Sequence, residues 1–263
     1  MSAHAALRSS LLSQTLLTAG RLLTRWRREP AVLVQALLFP TFLLVVYKLV
    51  IGESILNLTG SDSLYGLVPM SAVTGALFGA IGTGVAIPDE RESGLLSRLW
   101  VLPVHRASAL TGRILAEAAR TLIGAVAITA VGVAMGLKFT NGAAAIAGFV
   151  CVPVLVIVGF SAVVIALAVG ADGRNTVTGL AAVCFLLLFF NTGMVPLEVF
   201  PGWLQPVVRA QPMSPAIETM RALAEGGAIA VPLGQTLAWT AGLLAVFGPL
   251  AVRGYRAAAE GGR

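Results

Sequence analysis

Side chains able to act as nucleophiles, proton relays or metal ligands are sparse in this sequence, and their spacing excludes most catalysis. An ATP site needs a glycine-rich loop ending in Lys followed by Ser or Thr, because the loop N–H groups and that lysine cradle the phosphates. The two lysines are Lys48, followed by Leu49, and Lys138, followed by Phe139, so no ATP site is expected on this chain. A serine or cysteine hydrolase needs a base beside its nucleophile. His4 and His105 are the two histidines, and neither has a Cys, Asp or second His at ligand spacing. Neither a triad nor a metal centre is therefore expected. Cys151 and Cys184 lie inside apolar runs and read as small buried hydrophobes. Proton-driven transporters place Asp, Glu or His at membrane depth, yet residues 139–171, 175–197 and 226–252 carry no charge. Glu117 and Arg120 lie within one helical turn and can pair; like Asp172 and Arg174, they read as boundary anchors.

Polar chemistry is concentrated instead in residues 88–103, PDERESGLLSRLWVLP. Pro88 is expected to end the preceding helix. Asp89, Glu90 and Glu92 suit the first turn of a new helix, where the dipole favours negative charge. Arg91 and Arg98, seven residues apart, share a face; Leu95, Leu96 and Leu99 form an apolar ridge beside them; Pro103 ends the element. A short amphipathic helix over 89–102 results, and such a face can dock into a groove on another protein. Arg106, Arg113 and Arg120 then repeat at intervals of seven.

The elements that carry this helix follow from composition. The 263 residues are 57% hydrophobic and 11% charged, with mean hydropathy +0.89, whereas a soluble domain carries about 25% charged residues. So little charge cannot solvate a surface, and lipid is the expected solvent. Spans of about 20 apolar residues are predicted at 31–51, 64–87, 113–137, 143–170, 176–195 and 233–252. If the termini are cytoplasmic, fourteen of the eighteen basic residues lie inside, leaving Lys48, Lys138, Arg209 and Arg221 outside. That bias supports cytoplasmic termini and puts 88–103 in the cytoplasm. The net charge of +6 thus reflects membrane orientation, and no nucleic acid partner is expected. The N-terminus lacks a clean basic region, and residues 11–17 are interrupted by Ser13, Gln14 and Thr15, so no secretory signal is expected.

Residues 7–28 read as a separate amphipathic helix. Leu12, Leu16, Ala19, Leu23 and Trp26 recur on one face; Gln14, Thr18, Arg21, Arg25 and Arg28 recur on the other. Such a helix is expected in the headgroup layer, anchored by Arg21, Arg25, Trp26 and Arg28. After the fifth predicted span, Pro196, Pro201, Pro206, Pro212 and Pro215 forbid a continuous helix over 191–227. Phe200, Trp203 and Leu204 are too apolar for a free loop, so short helices dipping back into the outer leaflet are expected. Glu218 and Arg221 can pair there. Glycines within the spans (Gly75, Gly79, Gly82, Gly84, Gly124, Gly132, Gly136) read as packing positions.

Two stretches carry a resemblance. Glu92-Ser93-Gly94-Leu95-Leu96-Ser97-Arg98-Leu99, followed by Pro103, resembles the cytoplasmic-loop signature of ABC-2 type permeases. Gly193-Met194-Val195-Pro196, Phe200-Pro201-Gly202-Trp203-Leu204-Gln205-Pro206 and Gln211-Pro212-Met213-Ser214 through Glu218 and Arg221 resemble that family's segment after the fifth span. The sequence departs from the family at Gln211, where Asn is frequent, and at Pro215, where Tyr or His is frequent. Within the family it is most similar to daunorubicin/doxorubicin-resistance permeases, and RLLTRW (21–26) and RLWVLPVHRAS (98–108) resemble mycobacterial members that export apolar envelope lipids.

The resemblance implies an all-α membrane protein with six transmembrane helices, an N-terminal interfacial helix, a cytoplasmic coupling helix and outer re-entrant helices. It implies a permease subunit without catalysis of its own, set in the bacterial plasma membrane, moving an apolar or amphipathic lipid or drug. Two copies of an ABC ATPase subunit would bind ATP and Mg, and a second six-span permease, identical or related, would complete the route among membrane lipids. Glu90, Arg91, Glu92, Gly94, Leu95, Leu96, Arg98 and Leu99 would contact the ATPase. Pro196, Phe200, Pro201, Trp203, Pro212, Glu218 and Arg221 would form an outer gate. Polysaccharide or glycolipid export by the same architecture, or a scaffold or channel without ATP coupling, are the alternatives.

Overall fold

The computed structural model describes residues 11–28, 30–93, 106–170 and 172–260. In chain order its helices are α1 (Leu11–Arg28), α2 (Pro30–Thr59), α3 (Leu64–Gly84), α4 (Ala86–Glu92), α5 (Arg106–Ala134), α6 (Gly142–Ala168), α7 (Gly173–Phe189), α8 (Gln205–Ala210), α9 (Met213–Glu225) and α10 (Ala230–Glu260). A 3-10 turn, Leu197–Val199, precedes α8. No strand occurs among the described residues. In lipid an apolar chain must satisfy its backbone internally, which helices do within each segment.

The centre is built from α3 and α6. In their most apolar stretches 67% of residues are buried, against 17% in α2 and 6% in α10, which are therefore peripheral. Leu67, Val73 and Leu77 of α3, Phe149 and Ile157 of α6, Ile128 of α5, Leu188 of α7, and Ile217 and Met220 of α9 share one apolar cluster. Lipid tails are as apolar as these side chains, so close packing holds the helices together more than exclusion of water does. A β-carbon on Gly132 would stand 2.7 Å from Val68 Cγ2, and one on Gly84 would overlap Val164. Gly82, by contrast, has no neighbour within 4 Å and is not a packing position. On the periphery Leu38, Phe42, Leu49, Phe185, Leu186 and Val246 are exposed, as expected where lipid is the solvent. Cys184 is buried as expected, but Cys151 is exposed; both are free thiols.

Among the described residues, five helical stretches are long and apolar enough to cross a membrane: Leu38–Asn57, Leu64–Glu92, Leu110–Ala134, Gly142–Ala168 and Ala230–Ala257. The sixth, α7, has 17 residues, about 25 Å of rise. It stops short of the predicted end at 195. Asn191 is the physical reason: its Nδ2 donates to the Leu187 and Leu188 carbonyls, and its Oδ1 accepts from the Gly193 N–H. A side chain that satisfies the last carbonyls ends a helix. Elsewhere the helices overshoot the predicted spans. α2 runs to Thr59, α5 begins at Arg106 and α10 ends at Glu260. Hydropathy marks the apolar slab, whereas backbone hydrogen bonding continues beyond it.

Two further differences concern short elements. The sequence ends the second span at Pro88, but α3 stops at Gly84 and α4 begins at Ala86. Pro88 thus sits in the first turn of α4, where its missing N–H has no intrahelical acceptor to lose. The interfacial helix, expected over 7–28, is observed as α1 and packs along α5. Its contact face mixes small polar and apolar side chains: Thr15 Oγ1 lies 2.9 Å from Thr111 Oγ1, Thr18 covers Gly112, and Ala19 is buried with Ala116 beside Leu22 and Leu23. Leu16 and Leu17 point outward and are exposed. Arg21 is also exposed; the side chains of Arg25, Trp26 and Arg28, and residues 7–10, lie outside the described residues.

Candidate functional site

The polar side chains gather at the two ends of α3, and the first group surrounds α4. Its three consecutive residues Asp89, Glu90 and Arg91 reach three different helices. Asp89 pairs with Arg174 at the start of α7. Glu90 is buried and pairs with Arg113 of α5 at 2.5 Å. Arg91 donates to the Gly170 carbonyl at 2.9 Å, just beyond the end of α6. Tyr255 of α10 brings its hydroxyl within hydrogen-bonding reach of Arg113. Glu92 is exposed at the end of α4. Gly94, Leu95, Leu96, Arg98 and Leu99 lie outside the described residues.

One turn deeper, Glu117 and Arg120 form the pair that their spacing predicts, at 2.7 Å. They are 2% and 5% exposed, so the pair faces the interior of the bundle and not its surface. Thr83 of α3 donates to the other Glu117 oxygen, and Arg120 donates to the Ala76 carbonyl at 3.4 Å. The guanidinium lies flat over Gly79, where any β-carbon would overlap it. Two like carboxylate–guanidinium pairs, Glu90–Arg113 and Glu117–Arg120, therefore stack along α5 at steps of roughly one turn. Burial removes solvation from each charge, and only a partner at contact distance compensates. Arg174 pairs with Asp89 and not with Asp172, whose carboxylate instead accepts from Asn175 at 2.8 Å.

The second group lies at the N-terminal end of α3, about 25 Å from Thr83 along the helix. Gly66 of α3 meets Gly193 backbone to backbone: a β-carbon on Gly66 would overlap the Gly193 carbonyl. This contact locks the turn after α7 against α3. Arg221 of α9 then donates to the Thr192 carbonyl at 2.6 Å and pairs with Glu218 at 2.7 Å. Gln211 donates to the Phe190 carbonyl at 2.9 Å and to Ser214 at 3.1 Å. Its longer side chain explains how the departure from Asn is accommodated. Trp239 of α10 donates to the Ala210 carbonyl at 2.9 Å. The segment after α7 accordingly returns to the bundle: Met213, Pro215, Ala216, Ile217 and Met220 of α9 are buried. Gly226, at φ 85°, ends α9. Of the predicted gate residues, Glu218 and Arg221 are brought together, Pro196 lines an adjoining cavity, Phe200 and Pro212 are partly buried, and Pro201 and Trp203 are exposed. Trp203 is 77% exposed and packs on no core.

Sequence reasoning missed Thr83, Tyr255, Thr192 and the Gly66–Gly193 contact. The seven-residue repeat of Arg113 and Arg120 was a visible signal for one side of the buried pairs. Nothing local marks Thr83 or Gly66.

Residues 13–224 match the ABC-2 type transporter family. The chain is 41% identical over 248 residues to the probable doxorubicin resistance ABC transporter permease protein DrrC of Mycobacterium tuberculosis, covering 94% of this chain and 90% of that one. It is 29% identical over 252 residues to the daunorubicin resistance ABC transporter permease protein DrrB1 of Streptomyces coeruleorubidus, covering 95% and 88%. It is 28% identical over 204 residues to the putative transport permease ycf38 of Porphyra purpurea, covering 74% and 68%.

Proposed function

This chain belongs to the ABC-2 type transporter family, and we propose that it is the membrane-spanning permease subunit of an ATP-driven exporter. Two copies of an ATPase subunit bind ATP and Mg on the cytoplasmic side. A second permease subunit, identical or related, completes the route through the bacterial plasma membrane, with both termini cytoplasmic. The cargo is apolar or amphipathic, because the spans carry little charge and their buried charges are already paired with one another, which leaves little to solvate a polar solute. The resistance permeases among its relatives support a hydrophobic drug as cargo; a complex envelope lipid has the same physical character.

The observation that carries this reading is the triple attachment of α4 through Asp89, Glu90 and Arg91. An ATPase docked on residues 89–102 would push on α4, which cannot move alone. Its displacement passes through Glu90–Arg113 to α5, through Arg91 to the end of α6 and through Asp89–Arg174 to α7. Packed helices with ion-paired ends shift as rigid bodies rather than deform. Glu117 and Arg120 keep α3 and α5 in register while this happens. α1, lying on α5 with Leu16 and Leu17 outward, anchors the assembly in the headgroup layer.

The test is co-purification of the cognate ATPase with wild-type chain and with Glu92→Ala/Leu96→Asp, followed by ATPase assay in lipid. Loss of the ATPase from the variant alone supports the exporter reading. Equal binding and equal stimulation would leave 89–102 a connector, as in a scaffold or channel without ATP coupling.

A further inference from the structure

We propose that Tyr255, near the end of α10, is a positioning residue: its hydroxyl holds Arg113 on Glu90 and so ties α10 into the junction built around α4. The tie itself stands on the geometry of the permease; its consequence for ATP coupling rests on the exporter reading.

The charged contacts of α4 end on α5, α6 and α7. Both of its inward arms, however, end on residues that α10 also grips. Glu90 holds Arg113, and the Tyr255 hydroxyl lies within hydrogen-bonding reach of that same guanidinium. Arg91 donates to the Gly170 carbonyl and approaches that of Val169 at 3.4 Å. A β-carbon on Gly254, the residue before Tyr255, would stand 2.5 Å from Val169 Cγ2. This second contact is steric and independent of the first. The missing side chain at 254 brings α10 close enough for its neighbour to reach α5. The most apolar stretch of α10 is the least buried of the five, at 6%, yet Ala251 is fully buried and Tyr255 is 8% exposed. The end of α10 is therefore seated at the junction.

Arg113 needs positioning because it has a choice of carboxylates. Glu117 is four residues along the same helix, a spacing at which side chains meet, and Arg113 and Glu117 line one small cavity together with Thr83. A guanidinium has five donors, so two acids on either side leave its direction open. Glu117 is already held by Arg120 and Thr83. Arg113 turning toward it would strand the buried Glu90 and release α4 from α5. An oxygen fixed on α10 accepts one guanidinium N–H and biases the fork toward Glu90. Phenylalanine would fill the same space without supplying that acceptor.

Tyr255→Phe removes the oxygen and keeps the ring. Hydrogen exchange of the permease alone in lipid nanodiscs, followed by mass spectrometry, reads where the bundle loosens. Exchange of the α4 amides is expected to quicken about fivefold, with α10 unchanged. In Glu117→Gln/Arg120→Met, which takes away the competing carboxylate, the same substitution is expected to quicken α4 less than about twofold. A tyrosine that only fills space would loosen α10 or nothing, and would act equally in both backgrounds; either result overturns the proposal. In the assembled complex, Tyr255→Phe is expected to lower the maximal permease-stimulated ATPase rate about threefold and to leave the KM for ATP unchanged. A wild-type chain that stimulates no ATPase sinks the exporter reading and leaves the exchange result to decide the tie. Unchanged stimulation in Tyr255→Phe while α4 loosens keeps the exporter and sinks the tyrosine's part in coupling.

Discussion

The two ends of α3 use the same residue types in opposite ways. Around α4, Glu90, Glu117, Arg113 and Arg120 are all at least nine-tenths buried, and each acid holds a base. Around α9, Glu218 and Arg221 pair while partly exposed, and Glu198, Arg209 and Glu225 have no ion-pair partner among the described residues and stand beside an open cavity. The difference follows from solvent access. A charge deep in an apolar bundle must be matched by a fixed partner, which makes that end stiff. A charge at a wet mouth has water as an alternative, so it can do without a fixed partner.

Breaking a buried pair should therefore cost most. Glu117→Ala removes the counter-charge of Arg120, buried over Gly79, and is expected to destabilise by about 3–5 kcal/mol. Glu117→Gln/Arg120→Met should recover most of that loss, because no charge is stranded. Thermal unfolding of both variants in nanodiscs checks this; equal losses would mean that the pair is not a unit. Next comes the other end's backbone contact. Gly66→Ala pushes on the Gly193 carbonyl and is expected to cost about 1–3 kcal/mol, whereas Gly82→Ala, with open space around it, should change stability by less than about 0.5 kcal/mol. A Gly66→Ala variant as stable as Gly82→Ala would show that the turn after α7 is not locked to α3.

The exposed pair Asp89–Arg174 sharpens the comparison differently. Arg174→Ala should cost no more than about 1 kcal/mol of stability but should reduce ATP-coupled transport, because it releases α4 from α7. Transport measured at unchanged expression distinguishes coupling from folding. The smallest effect is at Asp62 in the turn between α2 and α3. Burial acts to raise its carboxyl, yet the Leu64 N–H and the Lys48 ammonium together hold it below the ordinary carboxylate range. A depressed acid contributes stability above the unfolded value, about pH 4, and loses it as pH falls through the folded value. Asp62→Asn should therefore lower stability at neutral pH by a few tenths of a kcal/mol, roughly the worth of a solvent-exposed pair, and leave the acid end nearly unchanged, so that the acid limb of a stability–pH curve flattens.

Much of this is legible in the amino-acid sequence. Low charge and long apolar runs dictate a helical membrane protein, because lipid offers no partner to an open backbone. The i,i+3 spacing of Glu117 with Arg120 and of Glu218 with Arg221 dictates which neighbours can pair. The polar interruption that begins at Pro88 coincides with α4, whose charged residues reach three neighbours. What the sequence misplaced were boundaries: hydropathy ended helices at the edge of the apolar slab, and Asn191 ended α7 by a side-chain bond that composition does not weigh.

Partner choice belonged to the tertiary structure alone. Glu90 turns inward to Arg113, 23 residues away, and Asp89 reaches Arg174 across 85 residues. The room for Arg120 exists because Gly79 faces it from another helix. Periodicity is a property of one helix and is written along the chain. Distance between helices, and with it the depth at which a charge is stranded or satisfied, is set only when the bundle closes.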